Sequence, residues 1–180
     1  MWILAHLFFW YVSRYFQRIG VSSMSYIINE DQPAKILVID DDPYLVEVIS
    51  TSLRLLGNYR VMSAVDGAQG LDYCLRYQPD LAIIDISMPR LDGYQVVRAL
   101  RGDSRTEDIP IVILSAKVQR DDHIVGMLAG ADAYLDKPLN PMQLVEAIRQ
   151  SLALGIEQRE ARYQALAEES TYTTFTEGSL

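Results

Sequence analysis

Four short stretches of this chain each end in reactive side chains, and three of them begin with an apolar run, a pattern that limits both the fold and the chemistry. They are KILVIDDDP (35–43), DLAIIDISMPRLDG (80–93), IPIVILSA (109–116) and GADAYLDKP (130–138). Short continuous apolar runs are typical of strands whose two faces are both covered. Three stretches lead into acids or a hydroxyl and the fourth into a lysine, so we expect these groups to gather at one edge of a sheet.

The segments around these runs alternate between strand and helix patterns. Strands are predicted over 36–39, 59–64, 81–84, 111–114 and 133–135. Asp42-Pro43 is a good N-cap with proline at the first helical position, and the last helix is predicted to start after Asn140-Pro141. Helices are predicted over about 43–57, 67–77, 96–100, 120–129 and 141–152. Their predicted inward residues include Leu45, Ile49, Leu53, Leu56, Ala68, Leu71, Leu75, Val96, Val97, Leu100, Leu144, Val145, Ile148 and Leu152.

Strands that alternate with helices in this way predict an α/β fold built on a five-stranded parallel sheet. The length and the element count favour the flavodoxin-like strand order 2-1-3-4-5, with helices on both faces. In that order ligands bind at the carboxyl ends of the first and third strands. Asp40 and Asp41 end the first strand and Asp85 ends the third, so the acids fall where this fold places a binding site.

Charge and cysteine content exclude some classes of function. The chain has 180 residues and a net charge of −8, with no basic stripe to release counterions from a nucleic-acid backbone. Direct nucleic-acid binding is therefore not expected. Cys74 is the single cysteine, so no internal disulfide can form, and the composition is typical of the reducing cytoplasm.

Residues 1–33 form an N-terminal extension with three competing interpretations. Residues 2–12 are an apolar, aromatic run too short to span a bilayer, which takes about 20 apolar residues. The run could anchor the chain at a membrane surface, since arginines follow it, or form a docking helix. The third interpretation is a start codon assigned too early, with Met24 as the true start. It is favoured over membrane contact of residues 1–23, because the alternating strands and helices begin only after the extension.

Residues 154–180 are predicted to form a helical extension and a disordered tail. The last helix is expected to run on past its core-covering part, because apolar and other residues recur seven apart. This imperfect heptad seam consists of Leu152, Ile156, Arg159, Tyr163 and Leu166. A solvated helical tail is favoured over a coiled coil. Residues 170–180 show no helical period.

Three carboxylates, a lysine and a hydroxyl make up the predicted site. Adjacent carboxylates repel by about 4 kcal/mol at about 4 Å and an effective dielectric constant of about 20, so Asp40, Asp41 and Asp85 need a cation to stay ionised together. Oxygen ligands with open positions for water favour Mg²⁺. Asp85 would be the nucleophile that forms an aspartyl phosphate, with Mg²⁺ and Lys137 offsetting charge and Ser115 binding a phosphoryl oxygen. The alternative interpretation is that the acids only cap helices and that Lys137 is an ordinary surface charge. It would require four separate elements to converge by chance.

Residues 34–153 resemble the receiver domain of two-component response regulators, including the single-domain type that serves chemotaxis. The resemblance rests on Asp40-Asp41, on Asp85 followed by the turn Met88-Pro89 and Asp92-Gly93, on Ser115-Ala116 and on Lys137-Pro138. It implies a phosphorylation-dependent switch that is an enzyme only in catalysing its own phosphotransfer and autodephosphorylation.

The resemblance also assigns roles to individual residues, with Asp85 as the phosphoacceptor. The implied ligands of Mg²⁺ are Asp40, Asp41, Asp85 and the backbone carbonyl of Ser87. The implied phosphoryl-binding residues are Ser115, Ala116 and Lys137. Ser115 and Tyr134 would form the switch pair, and the peptide bond between Lys137 and Pro138 would be cis. Ser87 and Lys117 stand at positions that tune dephosphorylation in the family.

Partners follow from the same resemblance. A histidine kinase or phosphotransfer protein would donate the phosphoryl group, and a downstream protein would bind the face formed by the helix over 120–129, the fifth strand and the last helix. The resemblance leaves open whether the chain forms a homodimer. The alternative is a receiver module of a larger protein whose output domain is missing from this chain. A third hypothesis, a phosphatase of the haloacid dehalogenase type, is disfavoured because Ser87 stands where that class has a second aspartate.

Overall fold

The computed structural model describes residues 33–116, 127, 129–155, 158 and 161, and it contains a five-stranded sheet. The strands are β1 (Lys35–Ile39), β2 (Arg60–Ala64), β3 (Leu81–Asp85), β4 (Ile111–Ser115) and β5 (Ala133–Asp136). The helices bounded within the described residues are α1 (Pro43–Gly57), α2 (Gly67–Tyr77), α3 (Gly93–Arg101) and α4 (Pro141–Ala153). The order β2-β1-β3-β4-β5 with parallel neighbours confirms the predicted flavodoxin-like fold. Most of the helix predicted over 120–129 lies outside the described residues.

Local sequence sets both ends of α1. The Asp42 carboxylate accepts hydrogen bonds from the backbone amides of Tyr44 and Leu45 at 2.9 and 3.4 Å. Pro43 takes the first helical position, where a missing N–H does no harm. After the last turn, Asn58 adopts a left-handed backbone with φ of 52°, which ends the helix. The helix therefore begins within two residues of the acidic pair that ends β1.

The helices cover both faces of the sheet, as predicted. On one face α1 and α4 pack on the strands through Ile49, Leu53, Leu144 and Ile148. On the other face α2 and α3 do so through Cys74, Val96, Val97 and Leu100. Successive strand residues point to opposite faces, and in β1, β3 and β4 both faces are buried, so these three strands are continuous apolar runs, whereas the edge strands β2 and β5 are partly exposed.

Two of the predicted inward faces need correction. The buried residues of α2 are Gly67, Gly70 and Cys74, whereas Ala68 is exposed. A Cβ at Gly70 would press against the side chain of Ile39, so α2 lies closer to the sheet than a larger inward residue allows. Leu56 is also exposed, and so is Leu55 beside it, because the last turn of α1 extends beyond the core.

The last helix is interrupted at Leu154 and does not run on without a break, although Gln158 and Ala161 beyond the interruption are again helical. α4 ends at Ala153, and the backbone is extended at Leu154. Gly155, a poor helix former, follows, and its amide donates to Oε1 of Gln158 at 3.3 Å. The later heptad positions Arg159, Tyr163 and Leu166 and the tail over 170–180 lie outside the described residues.

The N-terminal predictions also lie outside the described residues. These are the extension over 1–33, except its last residue, and the membrane contact of residues 1–23. Among the residues that the structure describes, no helix combines the length and apolarity needed to cross a membrane.

Candidate functional site

The carboxyl ends of β1 and β3 place three aspartates side by side. Asp85 is the last residue of β3, and Asp40 and Asp41 follow β1 directly. The two strands are parallel neighbours with Ile39 opposite Ile84, which puts Asp40 beside Asp85. One carboxylate oxygen from each aspartate lies within 4.8 Å of the others. The structure therefore brings the three predicted acids together.

Burial makes it costly to keep the carboxylates of this cluster ionised. Asp40 and Asp85 are only 2% and 3% exposed, whereas Asp41 lies at the surface. Burial raises the pKa of Asp40 above its usual value, although the backbone amide of Asp42 and the ammonium of Lys137 partly oppose this. Two buried carboxylates this close need compensating positive charge to stay ionised.

Lys137 supplies part of that charge. Its Nζ lies 2.6 Å from Oδ1 of Asp85 and 3.0 Å from Oδ2 of Asp40. Burial alone would lower the pKa of Lys137, but its hydrogen bonds to the two carboxylates and their charges outweigh burial and raise it. The amide of Lys137 donates to the carbonyl of Ser115 at 2.7 Å, which holds the lysine at the edge of the sheet. The peptide bond from Lys137 to Pro138 is cis.

Backbone amides orient the other carboxylate oxygens. The amide of Asp42 donates to Oδ1 of Asp40 at 2.8 Å, and the amide of Ser87 donates to Oδ2 of Asp85 at 2.7 Å. The resemblance assigned the carbonyl of Ser87 to the metal and did not predict a role for its amide. Such a bond from the backbone two residues onward forms an Asx turn, which leaves little mark on residue type.

Gly93 allows the loop after β3 to pass close to Asp85. A Cβ at this position would collide with the carbonyl oxygen of Asp85 and would lie 2.8 Å from Cα of Ile86. Asp92 and Gln95 form a reciprocal capping box that starts α3 at this point. The Asp92-Gly93 turn thus fixes the backbone that carries Asp85.

The other predicted residues lie at the end of β4 and in β5. Ser115 ends β4 and is fully buried, and Ala116 after it is exposed. Tyr134 is half-buried in β5 opposite Ile113 and packs against the core under α2 and α3. Lys117 lies outside the described residues, so its suggested role stays a prediction.

One contact beside the cluster was not predicted. Arg90, in the loop after β3, has a positive φ of 71° and places its Nη2 2.6 Å from Oδ2 of Asp66. Asp66 also caps α2 by accepting from the amide of Gln69. The ion pair ties the loop that carries Ser87 to the loop before α2. No sequence signal pairs these two residues, because they are distant along the chain and both belong to loops.

The donor set suits a hard divalent cation. The cluster offers carboxylate oxygens from Asp40, Asp41 and Asp85, which are the ligands that Mg²⁺ prefers. Because Asp41 is exposed, the cluster is open to solvent on one side, and water or phosphate oxygens could supply further ligands. The residues present therefore fit a magnesium ion that keeps several water ligands.

Together the fold and the site define a flavodoxin-like α/β domain with an acidic, lysine-containing site at the carboxyl edge of its sheet. The family model of the response regulator receiver domain matches residues 36–149, and the chain belongs to that family. The matched range lies within residues 34–153 and confirms the resemblance to the receivers of two-component systems.

Curated relatives and solved structures agree with this assignment. The DNA-binding dual master transcriptional regulator RpaA of Synechocystis is 42% identical over 115 residues, which are 64% of this chain and 47% of the relative. The response regulator GtcR of Aneurinibacillus migulanus is 38% identical over 136 residues, 76% of this chain and 54% of the relative. The chain thus spans about half the length of these relatives. The chemotaxis response regulator CheY4 of Vibrio cholerae matches with a TM-score of 0.63 and 29% identity over 67% of this chain and 99% of that structure.

Proposed function

We propose that this chain is a phosphorylation-dependent switch whose Asp85 accepts a phosphoryl group from a histidine kinase or phosphotransfer protein. One observation carries the proposal: the ammonium of Lys137 lies 2.6 Å from Asp85, within a cluster of three carboxylates at the carboxyl edge of the sheet. Phosphoryl transfer requires positive charge beside the transferred group. Lys137 supplies one such charge, and the carboxylates could bind a cation that supplies another.

Magnesium is the proposed cofactor. Asp40, Asp41, Asp85 and the backbone carbonyl of Ser87 would hold it, and the bound ion would neutralise charge on the phosphoryl oxygens. The spacing of the three carboxylates supports this ligand set, because one oxygen from each lies within 4.8 Å of the others.

The transfer step needs only groups of this chain and the donor. A carboxylate oxygen of Asp85 attacks phosphorus, and the bond from phosphorus to the donor nitrogen breaks, leaving its electron pair on the imidazole. Lys137, the hydroxyl of Ser115 and the main chain at Ala116 would hold the oxygens of the transferred group. Catalysis is then mostly positioning, which suits the closely packed and hydrogen-bonded carboxylates seen here.

The output would be a change in protein binding. Phosphoryl contacts would favour one of two conformations separated by a few kcal/mol, with Ser115 moving toward the phosphoryl group and Tyr134 turning inward. β5, which carries Tyr134, and α4 would supply part of the partner surface. The rest of that surface, the helix predicted over 120–129, falls largely outside the described residues.

A specific observation also favours the alternative, a receiver module of a larger protein. The relatives RpaA and GtcR match over only 47% and 54% of their own lengths. In those proteins the receiver is accompanied by a comparable length of other sequence. The reading frame beyond Leu180 distinguishes a partner-binding receiver from a module with an attached output domain. A cytoplasmic location fits either form, and a homodimer is compatible with both.

The phosphoacceptor is tested by mass spectrometry after incubation with acetyl phosphate and Mg²⁺. We expect one phosphoryl adduct on the wild-type chain and none on Asp85→Asn, which keeps the shape of the side chain but removes the nucleophilic carboxylate. Asp103→Asn is the matched control, because this carboxylate pairs with Arg105 away from the cluster. An adduct that persists in Asp85→Asn would refute the assignment of Asp85.

A further inference from the structure

Large apolar side chains form a stripe on the outward side of α1. Tyr44, Val48 and Leu55 are 84%, 59% and 78% exposed. Together with the exposed Thr51 they recur at i, i+4, i+7 and i+11, which places them within about 60° of one another around the helix. The core-facing residues of α1 lie on the opposite side. We call Tyr44, Val48, Thr51 and Leu55 the outward stripe of α1.

The outward stripe takes no part in the core of the domain. Ile49 and Leu53, on the other side of α1, supply its contact with the sheet. A helix on the surface of a soluble domain normally has polar residues on its outward side, so apolar residues there mark an interaction surface. Thr51 suits such a surface because its hydroxyl already donates to Oε1 of Glu47 at 3.4 Å and would not be left unpaired in a contact.

Opposite charges border the outward stripe on one flank. Glu47 and Arg54 are both exposed and lie seven residues apart, which puts them on the same flank. Within the described part of the chain neither forms an ion pair, whereas Asp72 and Arg76 on α2 pair with each other at 2.8 Å. The other flank of the stripe carries no charge. The surface therefore offers one acid and one base, both available to a partner.

We propose that a second copy of this chain binds the outward stripe, with the two α1 helices packed antiparallel about a two-fold axis. Tyr44 of each copy then meets Leu55 of the other copy, and Val48 meets Thr51, so the stripe is complementary to itself. The charged flanks face each other in this arrangement. Glu47 of each copy stands beside Arg54 of the other, which gives two ion pairs across the contact. This charge complementarity favours a second copy as the occupant.

Electrostatics favours the antiparallel orientation over the parallel one. α1 begins directly after the acidic pair Asp40-Asp41, so parallel helices would bring the acidic clusters of the two copies together. Parallel helices would also set each charged flank against an uncharged one. Antiparallel helices keep the acidic clusters at opposite ends of the contact and oppose the two helix dipoles.

The contact is expected to be reversible. It is confined to one helix from each copy, which is small beside the interfaces of about 1,200 Å² or more that stable complexes bury. The dimer should therefore dissociate on dilution, and its dissociation constant can be measured in both directions.

Sedimentation velocity on the full chain, without phosphoryl donor or Mg²⁺, tests the proposal. We expect the sedimentation coefficient of the wild type to rise with protein concentration from that of a monomer toward that of a dimer. Glu47→Arg turns both ion pairs into like-charge contacts and should raise the Kd by about tenfold. Asp72→Arg, the matched control, makes the same change of charge on α2 and should leave the Kd unchanged. A wild-type chain that stays monomeric up to about 1 mM would overturn the proposal.

A mixture of two variants tests the pairing itself. Arg54→Glu alone should weaken self-association by about tenfold, as Glu47→Arg does. An equimolar mixture of these two variants should dimerise at least as well as the wild type, because one chain then carries two positive charges on this flank and the other carries two negative ones. Recovery in the mixture cannot come from misfolded chains. A mixture that associates no better than either variant alone would overturn the antiparallel contact.

Removing the apolar side chains tests the rest of the surface. Val48→Ser combined with Leu55→Ser should raise the Kd by about tenfold, because two apolar side chains of each copy lose their partners. Val65→Ser removes another exposed apolar side chain outside α1 and serves as the control. Association that survives the double serine variant unchanged would place the contact on another surface and would overturn the proposal.

Dimer formation requires no phosphoryl chemistry, so its outcome is distinguishable from that of the proposed function. Asp85→Asn should keep the wild-type Kd. Absence of an Asp85 adduct in a chain that dimerises through α1 refutes the function alone, whereas an Asp85 adduct on a chain that stays monomeric refutes the contact alone.

Discussion

The Nζ of Lys137 lies 2.6 Å from Oδ1 of Asp85 and 3.0 Å from Oδ2 of Asp40, so one ammonium is shared by the acids of two neighbouring strands. Both carboxylates are buried, and both also accept a backbone amide. A divalent ion in the cluster would use oxygens of the same carboxylates. Lys137 and a bound metal ion would therefore stabilise the same negative charge and repel each other.

Replacing Lys137 with methionine should separate these two effects. Without the ammonium, the carboxylates are less neutralised and we expect Mg²⁺ to bind several-fold more tightly. Phosphoryl acceptance from acetyl phosphate should fall at the same time, because the transferred group loses one of its positive partners. Calorimetric titration with Mg²⁺ and the mass-spectrometric assay measure the two quantities.

Lys35→Met is the matched control for this prediction. The Nζ of Lys35 bonds to the carbonyls of Tyr77 and Gln78 at the end of α2, outside the acidic cluster. This variant removes the same charge from the chain and should leave Mg²⁺ affinity nearly unchanged. Weaker Mg²⁺ binding in Lys137→Met would contradict the competition, because it would mean that the lysine orders the ligands more than it repels the ion.

The strand order was favoured by the length and the element count, and the convergence of the acids followed from that order. Apolar runs that lead into Asp40, Asp85 and Ser115 favoured buried parallel strands, and parallel strands bring their carboxyl ends to one edge. The predicted strand order then placed the acids between β1 and β3, where the order of the strands in the sheet changes direction. Periodicity and topology were sufficient for this part of the structure.

Features that depend on backbone contacts or on close packing could not be predicted. The amide of Ser87 reaches Asp85 because of a local turn, and Arg90 pairs with Asp66 across two loops; neither is encoded in residue spacing. The buried line of α2 runs through glycines, which a hydrophobic pattern does not count, so Ala68 was predicted inward in error. The break after α4 was missed because the heptad pattern continues across Gly155, whereas the helix is interrupted there and is present again at Gln158.

Glycine at position 93 should be required for the geometry of Asp85. A Cβ there meets backbone atoms of Asp85 and Ile86, which cannot move aside as a flexible side chain can. We expect Gly93→Ala to lower the free energy of unfolding by about 1–3 kcal/mol and to weaken phosphoryl acceptance by shifting the end of β3. Urea denaturation and the mass-spectrometric assay measure the two effects.

Gly102→Ala is the matched control for Gly93→Ala. Gly102 follows α3 with a right-handed backbone, φ of −86°, and a Cβ there stays 3.4 Å from the nearest atom. Alanine should be accepted at this position without loss of stability or of phosphoryl acceptance. Equal behaviour of the two alanine variants would show that the close approach at Gly93 is not what orients Asp85.

Arg101 should stabilise the amino edge of the sheet. Its guanidinium donates to the carbonyls of Gly130, Glu107 and Ile109 at 2.7–2.9 Å and lies 3.1 Å from Oδ2 of the buried Asp132. Arg101→Met would leave Asp132 without this charged partner, and we expect a loss of about 3 kcal/mol in the free energy of unfolding. The urea midpoint measures it.

The exposed pair of Arg105 and Asp103 provides the comparison for Arg101. Arg105→Met removes an ion pair of 2.6 Å, but both groups remain solvated, so the urea midpoint should hardly change. If Arg101→Met and Arg105→Met shifted the midpoint equally, burial of Asp132 would not be the source of the stabilisation.

The buried thiol of Cys74 should make the fold less stable in alkali. Burial raises the pKa of Cys74 to about 12, whereas a thiol in an unfolded chain has a pKa of about 8.5. Above about pH 8.5 the unfolded state therefore binds fewer protons than the folded state, and the free energy of unfolding declines by up to about 1.4 kcal/mol per pH unit until about pH 12. Cys74→Ala lacks this titration, although the lysines and tyrosines still titrate. Urea denaturation between about pH 8 and 10.5 should consequently show a steeper decline for the wild type than for Cys74→Ala, and parallel curves would mean that the thiol ionises without unfolding.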